Sequence, residues 1–160
     1  HYFDVIRSIF GMPESVFAHS TGHPKYPKLS DTKTTAILIY PNNLRCALSL
    51  NHCYQFGPKN QSANVKVEGT EGAVYITLGS MLNYPNFEKD KFEIKTTRNE
   101  WKEINLLGNW FPDAFEGTMS NLQRFIYGED IKLETSVEDA VNTMKLVDAL
   151  LKSKNNSYKI

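Results

Sequence analysis

The sequence predicts an α+β fold, with one large, open, mainly antiparallel β-sheet and helices packed on one face. Three observations carry this. Short stretches of alternating apolar and polar residues recur between Ser15 and Leu106. Most are joined by hairpin-length connections, which make chain neighbours antiparallel. Two stretches of helical periodicity then close the chain, and runs of strands followed by runs of helices argue α+β. No internal repeat, linker or low-complexity stretch interrupts them, so residues 1–160 read as a single domain.

The first element is a helix. Tyr2, Val5, Ile6, Ile9 and Phe10 recur at helical spacing, and Gly11 and Pro13 stop it. No capping side chain precedes it. The expectation is that the numbering enters a longer chain in mid-element. A strand-like stretch from Ser15 to Ser20 follows, then a loop rich in Gly, Pro, Lys and His from Thr21 to Lys33. Thr34–Tyr40 and Leu44–His52 flank Pro41-Asn42-Asn43, whose residue types suit a hairpin turn. Gln55–Gln61 reads as a loop. Ala63–Glu68 and Ala73–Leu78 flank Gly69-Thr70-Glu71-Gly72, a second hairpin, and Lys91–Thr96 and Trp101–Leu106 form a third around Arg98-Asn99-Glu100. Asp113 with Glu116 three residues on has capping-box spacing and opens a helix whose stripe is Phe115, Met119, Leu122, Phe125 and Ile126, ended by Gly128. Ser136 with Asp139 opens the last helix, with a stripe of Val137, Ala140, Val141, Met144, Val147 and Leu151.

Composition excludes several function classes. Eighteen Lys and Arg balance eighteen Asp and Glu, so the broad positive footprint of a nucleic-acid or anionic-membrane binder is missing. No apolar run reaches the ~18–20 residues that span a bilayer, and no signal-peptide pattern opens the chain. The nine glycines form neither G-x-G-x-x-G nor G-x-x-x-x-G-K-[ST], so neither common phosphate cradle is present. Cys46 and Cys53 lie seven residues apart along a strand, roughly 23 Å and on opposite faces, too far to pair with each other. Unpaired cysteines suit a reducing compartment, and the cytoplasm is the expectation. Two N-x-S sequons, at Asn60 and Asn155, read as chance.

Histidine is the first place to look for proton transfer near neutral pH. His19 and His23 are four apart, a metal-ligand spacing on a helix, but Gly22 and Pro24 put them on a strand end and loop, where they read as solvated. No metal site is expected. His52 is in phase with Leu44, Leu48 and Leu50, beside Asn51 and Tyr54; it reads either as lining a cavity at the sheet edge or as hydrogen-bonded at the core margin. His1 stands at the start of an apolar-faced helix on which Asp4 and Arg7 are placed to pair. The segment Asn109-Trp110-Phe111-Pro112-Asp113-Ala114-Phe115 sets large rings and a carboxylate at a helix entry. Aromatic faces beside polar groups make a wall for sugar-like ligands. The plainer reading has Asp113 as a cap and Phe111 and Phe115 as core.

At these residues the chain resembles a known family. The opening HYFDVIRSIFG, the later VKVEGTEGAVYI, then NWFPDAFEGTMSNLQRFIYG and SVEDAVNTMKLVDAL are similar to the C-terminal domain of the Gfo/Idh/MocA oxidoreductases, in the family's order and over essentially the whole chain. The resemblance implies an N-terminal Rossmann domain that binds NAD or NADP and carries a Glu-Lys-Pro lysine, and a C-terminal α+β domain that walls the substrate pocket. His1 matches the histidine of the family's Asp-x-x-x-His motif, which implies a catalytic base taking a proton from a substrate hydroxyl as hydride leaves the same carbon. Trp110, Phe111, Asp113 and His52 are then the substrate-binding candidates.

The function implied is the substrate-binding and oligomerisation half of an NAD(P)-dependent oxidoreductase acting on a sugar, cyclitol or related polyol. NAD or NADP is expected in the full-length protein, bound mainly by the other domain and not by these residues, so this chain alone is expected to be inactive. The expected partners are a small-molecule sugar or polyol and further copies of the chain, joined through the sheet. The alternatives are a glycoside-hydrolase-like relative that uses the cofactor transiently, and a non-catalytic binding or dimerisation module.

Overall fold

The structure is a computed structural model that describes residues 1–53, 55–79, 85–86 and 88–153; Tyr54 and the Asn155 sequon lie outside them. The elements run α1 (Tyr2–Phe10), β1 (Ser15–Thr21), β2 (Lys33–Ile39), β3 (Arg45–Asn51), a 3-10 turn (Pro58–Asn60), β4 (Ala63–Gly69), β5 (Gly72–Leu78), β6 (Lys91–Thr96), β7 (Asn99–Ile104), α2 (Ala114–Ile126) and α3 (Val137–Ser153). The α+β class and the antiparallel pairing expected from the sequence both hold. Among the described residues the strands divide into two hydrogen-bonded sheets, β1-β2-β3 and β4-β5-β6-β7, where the sequence reads as one. The chain forms two compact units: a split one from His1–Gln55 and Thr135–Ile160, and a contiguous one from Phe56–Glu134.

In the split unit the period of two decides what is buried. Val16 pairs with Leu38 and Leu38 with Cys46; Ala18 pairs with Ala36 and Ala36 with Leu48. These rows form the inner face, because successive strand residues point to opposite sides. The core is Ala36, Leu38 and Tyr40 with Leu146 and Leu150 of α3, and Phe3, Ile6 and Phe10 of α1 pack against it. The outer face carries Phe17 beside Ile37, both exposed. The β2–β3 turn is as anticipated: Asn42 and Asn43 both take positive φ, 57° and 62°, and the Leu44 N–H bonds the Pro41 carbonyl at 3.2 Å. That is the primed turn whose twist matches a hairpin, and asparagine tolerates it. Gly11, at φ 75°, ends α1 with its N–H on the Arg7 carbonyl at 2.8 Å. Both cysteines are unpaired, and burial pushes the Cys46 thiol up.

The stripe expected on α3 needs correcting. Val137, Val141, Met144 and Leu151 are exposed, and the buried residues are Leu146 and Leu150. The helix is turned by a polar contact. Arg7 of α1, its side chain only 10% exposed, bonds Asp139 at 2.5 Å, Thr143 Oγ1 at 2.9 Å and Asp4 at 3.2 Å. Asp139, Thr143, Leu146 and Leu150 therefore share the inward face, at spacings of four, three and four. The start signal at Ser136 holds, its hydroxyl accepting the Asp139 N–H at 3.2 Å.

In the contiguous unit β4 and β5 pair from Ala63 opposite Leu78 to Gly69 opposite Gly72, as the hairpin predicts. The next turn is shorter than expected. Asn99 and Glu100 belong to β7, leaving Thr97-Arg98 as the connection, and the pairing shifts register between Ile94 and Thr96. The bulge absorbs the odd residue that the three-residue turn had been assigned. The stripe of α2 falls on the expected residues but stays exposed: Phe115, Met119, Leu122, Phe125 and Ile126 all face out. What is buried on α2 is Asn121, 7% exposed. Its amide donates to Asp130 at 2.9 Å and to the Lys132 carbonyl at 3.0 Å, and its oxygen accepts the Glu134 N–H at 2.9 Å. Among the described residues no helix is long and apolar enough to cross a membrane, and no cluster of three potential metal ligands occurs.

Candidate functional site

The segment around Trp110 is held at one end of the four-stranded sheet, and the register explains how. Thr77 lies opposite Lys91 and Phe92 opposite Ile104, so the end of β5, the start of β6 and the exit of β7 share one edge. Gly79, Asp90 and the loop after Ile104 are thereby brought together, although 31 residues separate Gly79 from Trp110. Asp90 is the centre. One carboxylate oxygen accepts the Gly79 N–H at 2.7 Å and the other accepts the Trp110 N–H. The Asp90 N–H donates to Asn109 Oδ1 at 3.2 Å. The Trp110 indole Nε1–H donates to the Gly79 carbonyl at 3.1 Å. Hydrogen bonds to an ionised acceptor are the stronger kind, and both Asp90 oxygens make one. At Gly79 an added Cβ would lie 1.8 Å from the Glu88 carbonyl oxygen, so the approach needs glycine.

The aromatic row is continuous. Trp110 and Phe111 have ring centroids 6.0 Å apart, and Phe111 meets Phe115 edge-on at 5.8 Å. Trp110 is 40% exposed, Phe111 half-buried and Phe115 exposed, so the row is a surface wall and not the core of the plainer reading. The Phe111–Pro112 peptide bond is cis. Asp113 corrects the capping box. It occupies the N-cap position of α2 but has helical φ and ψ, and its carboxylate makes no capping bond. It turns back and accepts the Asn109 N–H at 2.6 Å. Gly108 at φ 83° makes this return possible, folding the loop onto the carboxylate.

The structure groups three of the five candidates. Trp110, Phe111 and Asp113 form one cluster in the contiguous unit; His1 and His52 belong to the split unit. His1 is exposed at the start of α1, where its carbonyl accepts the Val5 N–H at 3.0 Å and its side chain makes no capping bond. Asp4 and Arg7 pair as expected, though at a half-buried junction with α3 and not on open surface. There the Thr143 hydroxyl, more than the Arg7 guanidinium, holds the Asp4 carboxyl below its ordinary value. His52 follows β3, exposed, with its N–H on the Thr32 carbonyl at 2.9 Å. His19 is an exposed residue of β1 opposite Thr35, and His23, half-buried in the loop that follows, accepts the Lys25 N–H on Nδ1 at 3.1 Å. Asp90 and Gly79 escape a reading of the sequence, since no local spacing links them to Trp110, 20 and 31 positions away.

Similar folds are known. A Thermotoga maritima protein superposes with a TM-score of 0.72 at 19% identity, over 98% of this chain and 43% of its own. An oxidoreductase from Agrobacterium radiobacter, solved in complex with NAD+, L-tartaric acid and magnesium, gives 0.71 at 18% identity, over 100% and 46%. The WlbA dehydrogenase from Bordetella pertussis, in complex with NADH and UDP-GlcNAcA, gives 0.64 at 16% identity, over 98% and 40%. The chain thus spans less than half the length of these relatives, and at such identities the likeness is one of fold. No curated protein matches its sequence. Residues 1–160 match the Gfo/Idh/MocA group's "oxidoreductase family, C-terminal alpha/beta domain", and the chain belongs to that family.

Proposed function

We propose that this chain is the substrate-binding and oligomerisation half of a cytoplasmic NAD(P)-dependent oxidoreductase acting on a sugar, cyclitol or related polyol. One observation carries the reading: an aromatic wall, Trp110 to Phe115, anchored by carboxylates and left partly open at the end of a sheet. Such a surface offers apolar contact to the C–H face of a polyhydroxylated ligand. Family membership supports the reaction class, and the NAD+ and NADH of two structural relatives support the cofactor type. These residues do not themselves fit a dinucleotide, because no glycine pair opens a helix with the N–H cradle that a pyrophosphate needs. The nucleotide is assigned to a preceding domain, and the chain alone is expected to be inactive.

The chemistry assigned to this half is proton handling and orientation. His1, matching the family histidine, accepts the proton of the substrate hydroxyl, a task suited to an imidazole near neutral pH. Trp110 and Phe111 hold the substrate ring, Asp113 keeps their loop closed, and His52 is the remaining binding candidate. The exposed outer face around Phe17 and Ile37 is the surface assigned to association between copies. In the full-length protein, His1→Ala lowers turnover by roughly 10²–10⁴-fold with thermal unfolding unchanged. A loss below about threefold removes His1 from the mechanism.

A further inference from the structure

Resting on that reading of Trp110, we infer that Asp90 is a positioning residue that fixes the indole so that only its face, and not its N–H, is offered to a ligand. The argument has two parts. The first is geometric. The Asp90 carboxylate takes one N–H from each side of the edge, Gly79 and Trp110, while its own N–H holds Asn109. Removing the carboxylate breaks its bonds to Gly79 and Trp110 at once and leaves only the indole bond and the Asp90 N–H bond to Asn109 to hold the loop. A wall is useful only when it does not move, and supporting residues of this kind hold a binding group within about 0.5 Å of its working place.

The second part is chemical. The indole has one hydrogen-bonding group, a donor, and here it is engaged with the Gly79 carbonyl. Trp110 is partly exposed, and with its donor engaged what the indole has left to offer a ligand is aromatic surface. It recognises a ligand by stacking on flat C–H surface and cannot donate to a carboxylate or hydroxyl. The ligand class is therefore a ring with an apolar face, a pyranose or a cyclitol, in preference to an open-chain hydroxy acid. Asp113 adds to this exclusion, since a carboxylate beside the wall disfavours an anionic ligand.

The test uses the full-length protein labelled with 15N-tryptophan, its Trp110 indole resonance assigned by its disappearance in Trp110→Phe. Asp90→Asn sets an amide donor against one of the two N–H groups, and the expected result is at least tenfold faster solvent exchange of the Trp110 indole N–H. Asn109→Ala, which leaves the carboxylate intact, gives a smaller acceleration in the same direction and serves where Asp90→Asn does not fold. Unchanged exchange in both variants overturns the positioning role, whatever the ligand. Titration of the NAD-loaded protein with myo-inositol, D-glucose and L-tartrate reads the ligand class separately. Ring probes shift the Trp110 resonance, tartrate does not, and Asp90→Asn weakens the ring probes about tenfold with no further loss on adding Trp110→Ala. Faster exchange in Asp90→Asn with no shift from any probe overturns Trp110 as a wall and leaves the clamp standing. A shift with tartrate alone overturns the ring class.

Discussion

The two units of this chain solve the same problem by different means. In the split unit, sheet and helices exclude water from a continuous apolar cluster, and Ala36, Leu38, Tyr40, Leu146 and Leu150 are all buried. In the contiguous unit, the one buried side chain among the described residues is Asn121, and the apolar stripe of α2 lies open. That unit is tied by directional bonds at two points, Asp90 at the sheet edge and Asn121 on α2. Apolar burial gives the larger share of stability and tolerates small shifts; hydrogen bonds contribute less net energy but fix position closely. The candidate wall is in the unit built for position.

The comparison is broken or sharpened by substitution. The largest expected effect is in the split unit: Leu146→Ala costs about 2–5 kcal/mol by urea unfolding, from lost transfer energy and the cavity left behind. Ile126→Ala, at a residue 70% exposed on the stripe of α2, stays within about 0.5 kcal/mol, and equal costs at the two positions dissolve the contrast. Next comes Asn121→Ala, at about 1–3 kcal/mol, because it removes the acceptor of the Glu134 N–H and the donor to the Asp130 carboxylate. Proteolysis confined to residues 129–134 is its signature.

Tyr40→Phe runs the other way. Its hydroxyl is buried with no hydrogen-bond partner among the described residues, and burial raises the phenol pKa. Removing an unpaired hydroxyl stabilises by about 1 kcal/mol, seen as a higher urea midpoint. The smallest effect is electrostatic. Asp4 has a folded pKa below its unfolded one, held down first by the Thr143 hydroxyl. Its contribution is therefore present above the ordinary carboxylate value near 3.8 and is lost as pH falls through the lowered folded value. With a side chain 51% exposed, screening leaves a few tenths of a kcal/mol. Asp4→Asn flattens the acid limb of a stability–pH curve below about pH 5 and leaves stability near neutrality slightly lower.

Much of the fold was legible because it is local. Alternation marks β1 to β5, and Asn42-Asn43 and Gly69 to Gly72 mark their turns within a few residues. The errors arise where a distant partner decides. On α3 two stripes compete, and Arg7, more than 130 residues away, selects the one with Asp139 and Thr143. At Asp113 the capping spacing is present, but a folded-back loop offers the carboxylate a nearer N–H. The aromatic wall was visible as Trp110 and Phe111, whereas Asp90, which anchors it, was not, since only β-sheet register places it there. His1 is a candidate through family resemblance alone; the structure shows it exposed at the start of α1 with no capping bond from its side chain.

The junction of α1 with α3 also has a consequence in time. Residues 56–134 fold back on themselves, but the split unit closes only when the chain supplies Leu146 and Leu150. During synthesis β1–β3 are made well before Leu146 and Leu150, the α3 residues that cover their inner face. Closing so long a loop is entropically slow to nucleate and exposes strand edges meanwhile. Arg7, made more than 130 residues before Asp139 and Thr143, makes α3 the helix that closes the split unit.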